Sequence, residues 1–97
     1  MDIIDFIGVY ESCDPGICLS VGLPTRISLS LSINDIIGKT PKGETLFVVT
    51  YSPERQEYPF ENMTVSIEYI NNHYRMFIIV NDYSVLYIKQ ETYNGTI

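Results

Sequence analysis

Residues 26–33 read Arg26-Ile27-Ser28-Leu29-Ser30-Leu31-Ser32-Ile33, with an aliphatic residue at every second position and serine between them. Side chains alternate across a β-strand, so this spacing sends one face to a core and the other to water. The same period governs Met63 to Tyr69, where Met63, Val65, Ile67 and Tyr69 oppose Thr64, Ser66 and Glu68. Tyr74 to Val80 and Tyr83 to Gln90 follow as strands that are apolar on both faces in places. Ile70-Asn71-Asn72-His73 and Asn81-Asp82 join these three segments, and Asn and Asp tolerate the left-handed backbone of a tight hairpin. The last third is therefore a three-stranded meander.

The first half reads in the same way with weaker signals. Ile3 to Ser12 is expected as one strand and Ile17 to Val21 as a second, joined by a type II turn with Pro15 and Gly16 at its centre. After Ile33 a loop through Gly38, Pro41 and Gly43 leads to a strand over Thr45 to Ser52, rich in β-branched and aromatic residues. Ser52-Pro53-Glu54 carries a helix-start signal, and Pro59 stops it, so a short helical bend is expected there. About seven short strands, with at most one helical turn, give an all-β fold: a small antiparallel barrel or a two-sheet sandwich, with the barrel favoured.

At 97 residues and 45% hydrophobic content the chain suits a single β domain spanning 1–97. Twelve acidic residues against six Lys and Arg leave a net charge of −6, which repels phosphate backbones, so nucleic acid is disfavoured as a partner. Apolar runs such as Phe77 to Val80 fall far short of the roughly 18 residues of a membrane span, so no membrane partner is expected. The acidic start Met1-Asp2-Ile3-Ile4-Asp5 is unlike a secretory signal, and a cytoplasmic, soluble protein is expected. Asn62-Met63-Thr64 and Asn94-Gly95-Thr96 match the glycosylation sequon, a short pattern given little weight.

No constellation for catalysis emerges. Gly38-Lys39-Thr40 resembles the end of a phosphate-binding loop, but Ile33 stands where the first glycine belongs and Pro41-Lys42-Gly43 replaces the helix, leaving a flexible basic loop. His73, the single histidine, sits in an Asn-rich turn. Cys13 and Cys18 are too far apart for a thioredoxin-type pair, and no second pair completes a zinc site. Across a hairpin they would face one another, so a disulfide is allowed; a reducing compartment favours free thiols. Neither a metal nor another cofactor is expected, and the protein is read as no enzyme.

What stands outside the alternating pattern is 53–62, where acids, aromatics and prolines concentrate. Glu54, Glu57 and Glu61 beside Tyr58 and Phe60 form the candidate partner-binding site, an acidic loop with exposed aromatics facing a basic protein. The plainer reading is a solvated loop whose aromatics cap the barrel end. The leading functional expectation is thus a non-enzymatic acidic β-domain that binds or inhibits a protein partner. A second comes from Gly8-Val9-Tyr10, a glycine with an aromatic two residues on, at the head of a first strand. This is similar to the start of lipocalin-like barrels, although the chain has no tryptophan. The resemblance implies a cavity for a small apolar ligand, and with it export and a bridged Cys13–Cys18 pair.

Overall fold

A computed structural model describes residues 3–90; the sequon at Asn94 lies outside them. A 3-10 turn (Ile3–Phe6) precedes β1 (Gly8–Ser12), helix α1 (Pro15–Val21), β2 (Arg26–Ser32), β3 (Asp35–Lys39), β4 (Thr45–Thr50), β5 (Glu57–Phe60), β6 (Met63–Ile70), β7 (His73–Val80) and β8 (Tyr83–Lys89). The eight strands make one antiparallel sheet in the order β4-β3-β2-β1-β8-β7-β6-β5, rolled into a nearly closed barrel. β1 pairs with both β2 and β8, so two four-strand meanders meet along it. The seam left open lies between β4 and β5.

The alternating stretch 26–33 follows its period through Ser32, where β2 ends; Ile33, expected on the core face, is instead 91% exposed in the turn to β3. Ile27 and Leu29 are buried, Ser30 and Ser32 are exposed, and Leu31 is half-buried near the strand end. Tyr10, Phe47, Tyr58, Met76 and Tyr87 point inward from five different strands and fill the barrel with side chains. The hairpins turn on left-handed residues: Asn71 and Asn72 at φ 54° and 64°, Asn81 at 55°, Glu61 at 55° and Ile33 at 57°. Asparagine adopts this backbone readily. A β-branched residue such as Ile33 does so at a cost of about 1–2 kcal/mol.

Four sequence expectations are corrected. First, 3–12 is not one strand, because the Ile3–Phe6 turn breaks it before Gly8. Tyr10 fastens that turn to the barrel by donating its hydroxyl to the Phe6 carbonyl at 2.9 Å. Second, 17–21 is helix. Asp14 caps it, its carboxylate accepting from the Ile17 N–H at 3.1 Å, Pro15 occupies the first turn, and Gly22 closes it at φ 77°. Asp-Pro-Gly reads equally as a turn and as a helix start, and Gly22 placed one residue past α1 decides for the helix. Third, Gly38 and Lys39 belong to β3 rather than to a loop. Fourth, 53–58 forms no helix; Arg55 N–H bonds to the Ser52 carbonyl in a single turn, and β5 starts at Glu57.

Pro59 marks β5 as a guarded edge. Ile67 N–H donates to Gln56 O, and the tight turn pairs Phe60 with Met63, so even-numbered residues of β5 bond to β6 and odd ones face the seam. Proline has no N–H to offer there. An edge blocked in this way resists pairing with a further strand.

The helix correction also separates the cysteines. Both are free thiols: Cys13 is exposed, while Cys18 is fully buried in α1. The Tyr87 hydroxyl donates to the Pro24 carbonyl at 2.8 Å and lies 3.5 Å from Cys18 Sγ. Burial pushes the Tyr87 hydroxyl well above its ordinary pKa. Under native conditions iodoacetamide is expected to add one label at Cys13 quickly and a second, at Cys18, only on unfolding. Intact mass followed over time checks this; two labels gained at equal rates would contradict the buried position of Cys18.

Candidate binding groove

Closing β1 against β8 brings the Ile3–Phe6 turn beside the 51–56 connection and the end of β6. Between them lies an open groove of about 420 Å³ at one end of the barrel. Its floor is apolar, formed by Phe6, Tyr58 and Ile67, all buried. One wall is the 53–56 segment and the other is the end of β6, where Tyr69 and Ile70 are each 41% exposed.

The 53–56 wall is held from below. The Tyr58 hydroxyl accepts from Ser52 N–H at 3.2 Å and donates toward the carbonyls of Ser52 and Arg55, at 3.0 and 2.9 Å. Arg55 lies 6.0 Å from the centre of the same ring. The opposite wall is braced by charge: Arg75 donates twice to Glu68 Oε1, at 3.1 and 2.6 Å, and Gln56 Nε2 reaches Glu68 Oε2 at 3.4 Å. Beside the floor, Phe6 meets Tyr74 edge-on at 4.9 Å, and Lys89 donates to the Asp5 carbonyl at 2.6 Å while lying 5.0 Å from the Tyr74 ring centre. The 3-10 turn is thus anchored by Tyr10 and by Lys89. Burial raises the pKa of Tyr10 far beyond its ordinary value, so its proton stays on that anchoring bond.

Of the residues singled out from the sequence, the groove gathers two. Glu54 is exposed on its wall and Tyr58 forms its floor. Tyr58 is only 2% exposed, so it is a structural ring rather than an exposed aromatic. Phe60 is half-buried against the core. Glu57 lies on the outer side of β5, and Glu61 sits in the turn at the far end of that strand. The expected cluster is dispersed because Glu57-Tyr58-Pro59-Phe60 alternates as a strand, turning its aromatics in and its other residues out.

Phe6, Ile67, Glu68, Tyr69 and Ile70 were not singled out by the sequence. The available signal was Tyr69-Ile70, two large apolar residues in succession where β6 should have kept alternating. His73 is exposed at the start of β7. Among the described residues, no three His, Cys, Asp or Glu side chains gather as a metal site, and no helix is long and apolar enough to cross a membrane. No protein-family model, no curated protein and no solved structure matches this chain.

Proposed function

We propose that the protein is a non-enzymatic binding domain whose end groove receives a basic and apolar segment of a protein partner, and that it inhibits where that segment is the partner's working surface. The observation that carries this reading is the pairing of exposed Tyr69 and Ile70 with Glu54, a groove carboxylate that no ion pair neutralises among the described residues, on a chain of net charge −6. Aromatic and aliphatic rims supply retention, and an acidic field supplies capture. A small apolar ligand is the second reading, favoured by a groove volume within the roughly 300–1,000 Å³ of small-molecule sites.

The test is selection from a display library of random decapeptides, followed by binding kinetics of the best peptide. The expected peptides are rich in Lys and Arg flanking an apolar residue. Glu54→Gln should slow association by a factor of about 2–5 at low salt, with the loss shrinking as salt rises, while Tyr69→Ala should speed dissociation about tenfold. Glu61→Gln, far from the groove, should change neither rate specifically. Enrichment of acidic peptides, or peptides indifferent to Tyr69→Ala, would sink the proposal. An apolar fluorophore displaced by no peptide, yet lost in Tyr69→Ala, would favour the small-ligand reading instead.

A further inference from the structure

The outward side of an antiparallel barrel is ordinarily polar, and β2 obeys this with its serines. β7 and β8 do not. Their inward positions are Met76, Ile78, Val80, Val85 and Tyr87, all buried, so the alternating positions Phe77, Ile79, Leu86 and Ile88 face out. Register makes these four contiguous: Phe77 pairs with Leu86, Ile79 lies two residues along, and Ile88 lies two residues beyond Leu86. The result is an apolar centre on the outer wall, with Ile79 the most exposed of the four at 36%.

Around it runs a polar rim. Thr64 and Ser84 flank Ile79, Ser66 flanks Phe77, and two ion pairs close the remaining side, Glu68–Arg75 along one strand boundary and Glu11–Arg26 along the other. Arg75 also lies 5.7 Å from the Phe77 ring centre. An apolar centre with a polar rim is the layout of a protein interface. On the strands beside the centre each carboxylate has its own guanidinium; acids without an ion pair stand at its margins, Asp82 in the β7–β8 turn and Glu57 two strands from Phe77. Other acids without an ion pair, such as Asp14, Asp35 and Glu44, lie on other elements.

We infer that the outer face of β7 and β8 is a self-association surface, on which a second copy of this chain docks face to face about a two-fold axis. Charge selects that occupant. A basic partner finds its attraction elsewhere on the molecule, whereas two chains each at −6 can approach closely only where the local charge is balanced, and this face is such a place. β7 and β8 are interior strands with both neighbours in place, so the contact uses side chains and leaves the sheet hydrogen bonds intact. Four strands by four residues span only about 250 Å² per copy, roughly a third of a standard interface, so the dimer is weak.

Sedimentation velocity from about 5 μM to about 1 mM, at low and at high salt, tests this. The expected result is a monomer–dimer equilibrium that strengthens with salt, because screening removes the repulsion between the two acidic bodies and leaves apolar burial in place. Ile79→Lys, at an exposed site that keeps the fold, should weaken dimerisation at least tenfold, and Ile88→Lys should do the same should the first variant fail to fold. Tyr69→Ala, which acts on the groove, should leave the dimer unchanged. A monomer at every concentration, association that weakens with salt, a mass that grows past the dimer, or a dimer lost in Tyr69→Ala and kept in Ile79→Lys would each overturn the inference.

Discussion

Gly38→Ala is expected to destabilise the protein by about 3 kcal/mol, a large effect for a single methyl group. In an exposed strand the same change would stabilise by about 0.5–1 kcal/mol, because alanine loses less backbone freedom on folding. The sign reverses here because the Phe47 ring lies directly across Gly38, its pairing partner on β4. A Cβ at Gly38 would stand 2.5 Å from Phe47 Cζ and 2.9 Å from Cδ2, well inside contact distance. Phe47 is fully buried, so its ring has no open side to retreat into. The β-bulge between Gly38 and Lys39 fixes which residue of β4 faces the glycine. Urea midpoints of Gly38→Ala, Phe47→Leu and the double variant check the account. The slimmer leucine makes room for the new methyl, so the double variant should be more stable than the sum of the singles by at least about 1 kcal/mol. A neutral or stabilising Gly38→Ala would show that the ring does not lie over the glycine.

The same residue shows why part of this fold was hidden in the sequence. Gly38 reads as a loop because glycine weakens a strand, and only the distant Phe47, which fills the missing side-chain space, makes it strand. Pro59 reads as a stop for a parallel reason: it breaks any interior strand and is accepted in β5 because β5 is an edge facing the seam. α1 has seven residues, too few for a 3.6-residue period to show, so its caps Asp14 and Gly22 were the sole legible signal. By contrast β2 and the meander β6–β7–β8 were legible nearly to their boundaries, since two-residue alternation and Asn-containing turns are local properties. The candidate groove divides along the same line. Glu54 and Tyr58 stand out within one short segment, whereas Phe6 and Tyr69 join them only once β1 closes on β8.

Tyr58 has the second large expected effect, and its two parts act separately. Tyr58→Ala removes a ring that is 2% exposed and packed in the core, an expected loss of about 3–5 kcal/mol, which is much of the stability of an ordinary domain. Tyr58→Phe keeps the ring and removes the hydroxyl. That hydroxyl receives the Ser52 N–H and donates toward the Ser52 and Arg55 carbonyls, so its loss leaves a part-buried donor unpaired, at about 1–3 kcal/mol. The consequence differs in place as well as in size. In Tyr58→Phe the core keeps its packing, and what loosens is the 52–55 turn, which forms a wall of the groove. Amide exchange at Ser52, and at Arg55 whose N–H bonds back to the Ser52 carbonyl, should therefore quicken in Tyr58→Phe, while Val65 and Ile78 in the core strands stay protected. A peptide seated in the groove should dissociate faster from this variant although Tyr58 offers it almost no surface, since the wall rather than the ring makes the contact. Unchanged exchange at Ser52 in a folded Tyr58→Phe variant would detach the hydroxyl from the wall. The ring would then matter to the core alone, and the groove would need another support.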